Sequence, residues 1–434
     1  MEVIGVLWFL VALVVIVTVH EYGHYIVGRW SGIKAEVFSI GFGQVIYSRT
    51  DRHGTRWQIA AIPLGGYVKF KGDSDASSRP TAGGLEGLSA AERRQTMQGA
   101  PLWARSATVL AGPFANFLLA VAILVGLIFW QGLPVNEVRV GSVAPMAQGV
   151  LQEGDLIQAI DGQETPDFTA FYTVADGLST KPRVAYQIER AGAEVTVEGP
   201  NPLPPLVGQV MLKSAALEAD LRPGDLIVKA GGQDIASFGQ LPDIVKAGDG
   251  APVTLTVQRD GESFDLTLTP RRSDLPKAEG GFETRWLIGL NAGSLFEPAT
   301  RTPGVLEATG LAVEQGFGLL KVNVEGVVAM LAGKISVCRN LSSPVGMAQA
   351  VAQAAEQGAA AYLSLLAVFS LGIGLMNLFP IPVLDGGHLV FHLYEAVTRR
   401  PPSDRAMQVL MMAGIAVLVS IMLYAVLSDL VGCL

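Results

Sequence analysis

The stretch VIGVLWFLVALVVIVTVHEYGH, residues 3–24, carries no charge until it breaks into His20-Glu21-Tyr22-Gly23-His24. Its apolar part approaches the roughly 20 residues that take a helix across a bilayer. Met1-Glu2 ahead of it contains no Lys or Arg, and the apolar run passes directly into the histidine motif. It therefore reads as a retained membrane span and not as a cleaved signal peptide. Three more windows lack Asp, Glu, Lys and Arg: residues 106–136, 357–384 and 406–428. Half of the 434 residues are apolar and only 16% are charged, against about 25% in soluble chains, and the mean hydropathy is +0.39. A wholly soluble enzyme and a disordered or fibrous chain are excluded. The expected fold is a polytopic α-helical membrane protein with four transmembrane helices. The net charge of −8 argues against nucleic acid, whose phosphates require an excess of Lys and Arg.

Four spans leave both termini on one side, and loop charge decides which. Residues 28–102 hold ten Lys/Arg against six Asp/Glu, and Arg29, Lys34, Arg93, Arg94 and Arg105 stand near span ends. Arg399, Arg400 and Arg405 separate the third and fourth windows. Residues 137–356 instead count seventeen basic and twenty-seven acidic residues, a net of −10. Basic residues near span ends stay on the cytoplasmic side. The short basic loops are thus cytoplasmic, and the termini and the long acidic segment face outward. Cys338 and Cys433 fall on the outer side, where disulfides are permitted; without a spacing signature they read as free thiols.

The acidic segment repeats itself. Leu151-Gln-Glu-Gly-Asp155-Leu-Ile157 aligns with Leu221-Arg-Pro-Gly-Asp225-Leu-Ile227, seventy residues on, followed by Gly162-Gln163 with Gly232-Gln233 and Phe168 with Phe238. Each copy reads as short strands around Gly-Asp turns, a helix, and a hairpin turning at Gly192 or Gly261. Two copies are too few for a solenoid, so two small tandem domains are expected. The string around Gly154-Asp155 and Gly224-Asp225 resembles the PDZ domains attached to bacterial proteases, which implies capture of a peptide or chain end by strand addition. Neither copy has a Gly-Leu-Gly-Phe loop and Gly231 stands where an Asp is expected, so a steric cap is the alternative. Beyond the repeats, residues 303–334 place Leu306, Leu311, Val313, Phe317, Leu320 and Val324 at helical spacing among charges. This reads as an amphipathic helix or helix pair on the outer membrane surface, or one packed on the repeats.

The chemistry lies where charge interrupts the windows. On a helix His20 and His24 share a face, and Glu21 beside them is placed to act on a metal-bound water. Ionisable groups at the end of an apolar helix are costly and point to function. A catalytic zinc needs a third protein ligand and one open position. The first and third spans both run inward, and the third ends in Asn377-Leu-Phe-Pro380-Ile-Pro382-Val-Leu-Asp385-Gly-Gly-His388. Asp385 is the first charge after twenty-eight uncharged residues, and the two prolines break the helix just before it. Such backbone is tolerated at membrane depth only inside protein or beside a wet cavity. Topology thus brings Asp385 to the depth of His20 and His24. His388 and His392, followed by Glu395, offer a competing or second metal site, or a face leading to a polar surface; His53 reads as solvated.

Together, His-Glu-x-x-His, Asn-x-x-Pro-x-Pro-x-x-Asp-Gly and the tandem repeats resemble the site-2 proteases, in particular their bacterial regulator-of-sigma-E branch. Gly41-Phe-Gly43, Pro63-Leu-Gly-Gly-Tyr67-Val-Lys69 and Ala111-Gly-Pro-Phe-Ala-Asn116 extend the resemblance over the whole chain. It implies one zinc ion per chain held by His20, His24 and Asp385, with Glu21 as general base. It also implies substrate contacts from Asn377, Pro380, Pro382, Asn116 and Tyr67, with Asn116 packed near the site and Tyr67 on strands between Gly41 and Lys69 that dip into the membrane. The implied layout is a first span over 1–27, a cytoplasmic loop with a β-element over 28–102, and a second span over 103–136. PDZ domains follow over 137–200 and 206–270, with a periplasmic linker and amphipathic helices over 271–356. A third span covers 357–385, a cytoplasmic loop 386–405 and a fourth span 406–429. The implied location is the bacterial inner membrane, with the active site toward the cytoplasm. The implied substrates are single-span membrane proteins, an anti-sigma factor or remnant signal peptides, cut after prior trimming. Two other classes remain at this point: a catalytically silent scaffold that holds partners, and a metal transporter, which the scarcity of ionisable groups in spans two and four disfavours.

Overall fold

A computed structural model describes residues 3–73, 87–211, 214–277 and 280–431. The chain divides into two units, Met1–Leu127 with Val305–Val328 and Val337–Leu434, and Ile128–Gly304 with Ala329–Ser336. Four described helices are long and apolar enough to cross a membrane: Ile4–Trp30, Leu102–Gln131, Ala359–Asn377 and Arg405–Asp429.

Within the first unit, the first two spans meet through small residues. A Cβ on Gly23 would collide with the carbonyl oxygen of Ala111, so only glycine lets the two backbones come this close, as is usual where helices pack in lipid. The helix Pro344–Glu356 packs on the first span, with Ala12, Ile16, Val351 and Leu366 forming a small buried core. The strands Ala35–Thr50 and Arg56–Phe70 pair antiparallel. Ser39 is registered with both Tyr67 and Gln58, so the pair folds back on itself. Asp51 fixes its turn by accepting from the backbone N–H groups of His53 and Thr55 at 2.8 and 3.0 Å and from Trp57 Nε1 at 3.1 Å. The base is anchored on the first span, where Trp57 stacks on Phe38 at 4.3 Å and Tyr25 meets Trp57 edge-on. At the other end Phe42, Ile46, Tyr47, Ile62 and Leu64 are exposed.

The second unit contains two four-stranded sheets built in the same order. In one, Gln163–Glu164, Leu156–Ile160, Arg183–Arg190 and Ala193–Pro200 lie side by side; in the other, Gln233–Asp234, Leu226–Ala230, Val253–Arg259 and Glu262–Leu268 do. Both hairpins close on two residues with positive φ, Ala191-Gly192 and Asp260-Gly261, the signature of a tight turn that matches strand twist. Each Gly-Asp turn is pinned identically. Asp155, 1% exposed, accepts from Arg190 Nε and Nη2 at 2.8 and 2.7 Å and from the Gln152 N–H; Asp225, 1% exposed, accepts from Arg259 Nε and Nη2 at 2.6 and 2.7 Å and from the Arg222 N–H. The chain then returns along its own start. Leu290–Ala292 pairs with Val207–Val210, Phe296–Pro298 with Val140–Val143, and Thr300–Arg301 with Leu133–Pro134.

One expectation is corrected. Cys338 is disulfide-bonded and not a free thiol; Cys433 lies outside the described residues. A spacing rule fails here because the relevant proximity is tertiary. The segment after Cys338 meets the end of the fourth span, where the Ser343 N–H donates to Asp429 Oδ2 at 3.0 Å.

Replacing Arg259 with Met should leave the Asp225 carboxylate buried with a single backbone donor, a loss of about 1–3 kcal/mol. Hydrogen exchange of strand Leu226–Ala230 in the full-length protein is expected to accelerate while exchange in strand Leu156–Ile160 stays unchanged. Equal protection in both strands would contradict this.

Candidate metal centre

The first span carries His20 and His24 one turn apart, and the helix Asp385–Thr398 carries Asp385 in its first turn, where the helix dipole favours a carboxylate. The turn that delivers Asp385 depends on its two glycines. A side chain at Gly386 would strike the carbonyls of Leu378 and Phe379, and one at Gly387 the carbonyl of Ile381. With Pro380 and Pro382 ending the third span, the chain reverses within a few residues and Asp385 turns back toward the first span.

The three side chains converge. His20 Nε2 lies 3.1 Å from His24 Nε2 and 3.0 Å from Asp385 Oδ2, and His24 Nε2 lies 3.5 Å from Asp385 Oδ1. Among the described residues this is the one group of three or more potential ligands whose donor atoms gather closely enough for a metal, all within 4.8 Å. Ligand atoms about 2.0–2.2 Å from a tetrahedral zinc stand roughly 3.3–3.6 Å from one another; the 3.5 Å separation falls in that range, and those of 3.0 and 3.1 Å lie a few tenths of an ångström inside it. The hydrogen bonds agree. His24 Nδ1 faces the Thr108 carbonyl at 2.8 Å, and a carbonyl only accepts, so Nδ1 holds the proton and Nε2 turns a lone pair toward the centre. Asp385 Oδ2 is buried and has no hydrogen-bond partner of good geometry despite its nearness to His20. The His24 lone pair and the Asp385 carboxylate facing one another at these distances make a donor set that a cation would satisfy.

The second span shapes the space. Gly112 faces the site, and a Cβ there would collide with His24 Nε2 and lie 2.8 Å from His20 Nε2. Asn116, fully buried, places Nδ2 3.3 Å from His20 Nδ1. Glu21 sits beside the candidate ligands with the Val68 backbone as its hydrogen-bond partner, and a Cβ added at Gly66 would lie 3.4 Å from its Cγ. Of the other substrate candidates, Asn377 donates to the Ile373 carbonyl of its own helix at 3.1 Å. Tyr67 stacks near Phe42, and its hydroxyl accepts from Gln58 at 3.2 Å.

His388 and His392 do not join the ligand group. His392 Nδ1 meets Ser106 Oγ at 3.1 Å, and Glu395 receives Arg105 through two bonds of 3.0 and 2.5 Å. Burial, then Arg105 and His388, push the His392 imidazole down to about 4 against the pull of Glu395, so it is neutral near pH 7. This polar cluster ties the helix of Asp385 to the start of the second span. His53, expected to be solvated, holds Arg29 Nη2 at 2.8 Å.

A sequence model of peptidase family M50 matches residues 8–421. The chain belongs to peptidase family M50. It is 34% identical over 425 residues to a protein of Rhizobium meliloti strain 1021 named "putative zinc metalloprotease", covering 97% of this chain and 95% of the relative. It is 32% identical over 464 residues to the regulator of sigma-E protease RseP of Salmonella typhimurium strain 14028s, covering 98% of this chain and 99% of the relative. The M50 chain is thus a zinc-dependent metalloprotease, and its four apolar helices make it an intramembrane one. The silent scaffold and the transporter are set aside.

Gly112→Ala puts a methyl group where the imidazoles converge. The purified protein is expected to lose most of its zinc, measured by elemental analysis, while Gly126→Ala, with nothing within 4 Å of the added carbon, keeps a full complement. Full zinc in Gly112→Ala would refute the crowding argument.

Proposed function

We propose that this M50 protease cleaves the membrane segments of single-span proteins, using His20, His24 and Asp385 as its zinc ligands and Glu21 as its general base. The observation that carries this reading is the convergence of those three ligands, from two separate helices, beside Glu21. Zinc bound there supplies an acidified water and a polarised scissile carbonyl. Glu21 accepts the proton of the attacking water and hands it to the leaving nitrogen. A helix in lipid hides its carbonyls in its own hydrogen bonds, and unpairing them costs several kcal/mol per group. The strands Ala35–Thr50 and Arg56–Phe70, with their exposed apolar end, are suited to dip into the membrane and to pair with an unwound substrate. Tyr67, Asn377, Pro380 and Pro382 then contact the substrate backbone.

The two repeated sheets are read as PDZ domains on the periplasmic side, the site opening toward the cytoplasm of the inner membrane. The disulfide at Cys338 supports an oxidising environment on that outer side. The PDZ pair takes a peptide or chain end, or excludes bulky ectodomains, so that cutting follows an earlier trim. A relative named for regulating sigma-E favours an anti-sigma factor in an envelope stress response as substrate, with remnant signal peptides a second class.

Co-expression with a single-span reporter tests both parts. Glu21→Gln is expected to abolish cleavage with zinc retained, and Asp385→Ala to lose cleavage and zinc together; cleavage by Glu21→Gln would remove the assigned base. Excising residues 135–299, whose flanks pair with each other, should admit untrimmed reporters. Unchanged selectivity would count against gating.

A further inference from the structure

Asn116 is wholly buried on the second span, its backbone carbonyl taken by Ser370 Oγ at 2.8 Å and its side chain turned to His20. Among the described residues its Oδ1 has no hydrogen-bond partner, while its Nδ2 lies 3.3 Å from His20 Nδ1. A half-turn about the last bond of the side chain exchanges the amide oxygen and nitrogen in nearly the same space, so the side chain can present either to the ring. With Nδ2 on the ring, His20 Nδ1 must be an acceptor, its proton sits on Nε2, and the lone pair that a metal needs is blocked. With Oδ1 on the ring, the amide oxygen accepts from Nδ1–H and Nε2 is free to ligate. Resting on the zinc-ligand reading of His20, we propose that Asn116 is the positioning residue that holds His20 in its ligating tautomer by accepting its Nδ1–H on Oδ1.

The second span supports this as a paired arrangement. It runs antiparallel to the first, and Thr108, Gly112 and Asn116 follow one another at steps of four residues. The Thr108 carbonyl accepts a hydrogen bond from His24 Nδ1, Gly112 leaves the space between the rings, and Asn116 serves His20. One helix therefore orients both imidazoles, one by a backbone carbonyl and the other by a side-chain amide. An outer partner of this kind fixes ring orientation and raises ligand basicity, and its loss typically costs 10- to 100-fold in metal affinity.

The test measures zinc stoichiometry and zinc release to a chelator in the purified full-length protein, with thermal melting as the folding control. Asn116→Leu, which keeps the shape and loses the acceptor, is expected to bind zinc about 10- to 100-fold more weakly. Asn116→Asp, which keeps the acceptor and removes the donor, should hold zinc at least as tightly as the natural protein. Should Asn116→Leu not fold, Asn116→Ala carries the same expectation without added bulk. Natural zinc affinity in the Leu or Ala variant, or equal weakening in a folded Asp variant, overturns the proposal. His20→Ala separates the two layers. If it retains zinc, the ligand reading itself fails; if it loses zinc while Asn116→Leu does not, only the role of Asn116 fails.

Discussion

The membrane unit rests on the close approach of its first two spans. Lipid offers ionisable groups no solvation, so His20, Glu21 and His24 are tolerable only where protein supplies their partners. Gly23 against the Ala111 carbonyl brings the second span near enough to do so. From that contact follow the Thr108 carbonyl on His24, the clearance at Gly112 and the amide of Asn116 on His20. The third side of the centre comes from elsewhere in the chain, through a turn that two prolines and two glycines allow. Arg105 and Ser106 then bind the helix that follows, so the second span touches both helices that carry the candidate ligands.

Much of this is legible in the residues themselves. Four uncharged windows mark the helices long and apolar enough to cross a membrane, and the breaks at His20-Glu21-Tyr22-Gly23-His24 and Asp385 mark the side chains that gather as candidate metal ligands. The Gly-Asp repeats likewise announce two similar sheets. Several features escape such reading for definite reasons. Thr108 acts through its carbonyl, which every residue possesses. Gly112 acts by what it lacks, and a glycine in a small-residue helix has many possible reasons. Arg105 and Glu395 are far apart in sequence, and only the folded chain makes them a pair. Cys338 follows the same rule, its bond being decided by tertiary proximity.

The two sheets also differ from a simple tandem. Each keeps its own buried Asp–Arg pair, and each is accompanied by a separate two-stranded ladder. The strands after the second copy, Leu290–Ala292 and Phe296–Pro298, pair with strands that precede each copy's sheet. Sequence periodicity shows the shared part and misses the closing strands, which belong to no repeat.

That closing path ends with Thr300–Arg301 beside Leu133–Pro134, so the strands entering and leaving this region of some 170 residues are hydrogen-bonded neighbours. Adjacent ends are what allow one folded body to be inserted within another. The repeat-bearing region is therefore a cassette whose two ends lie side by side. It can be lost, gained or exchanged over evolutionary time without cutting the membrane helices that flank it. Diversity in this branch of proteases is expected to accumulate in the cassette, while the helices that shape the metal centre stay constant.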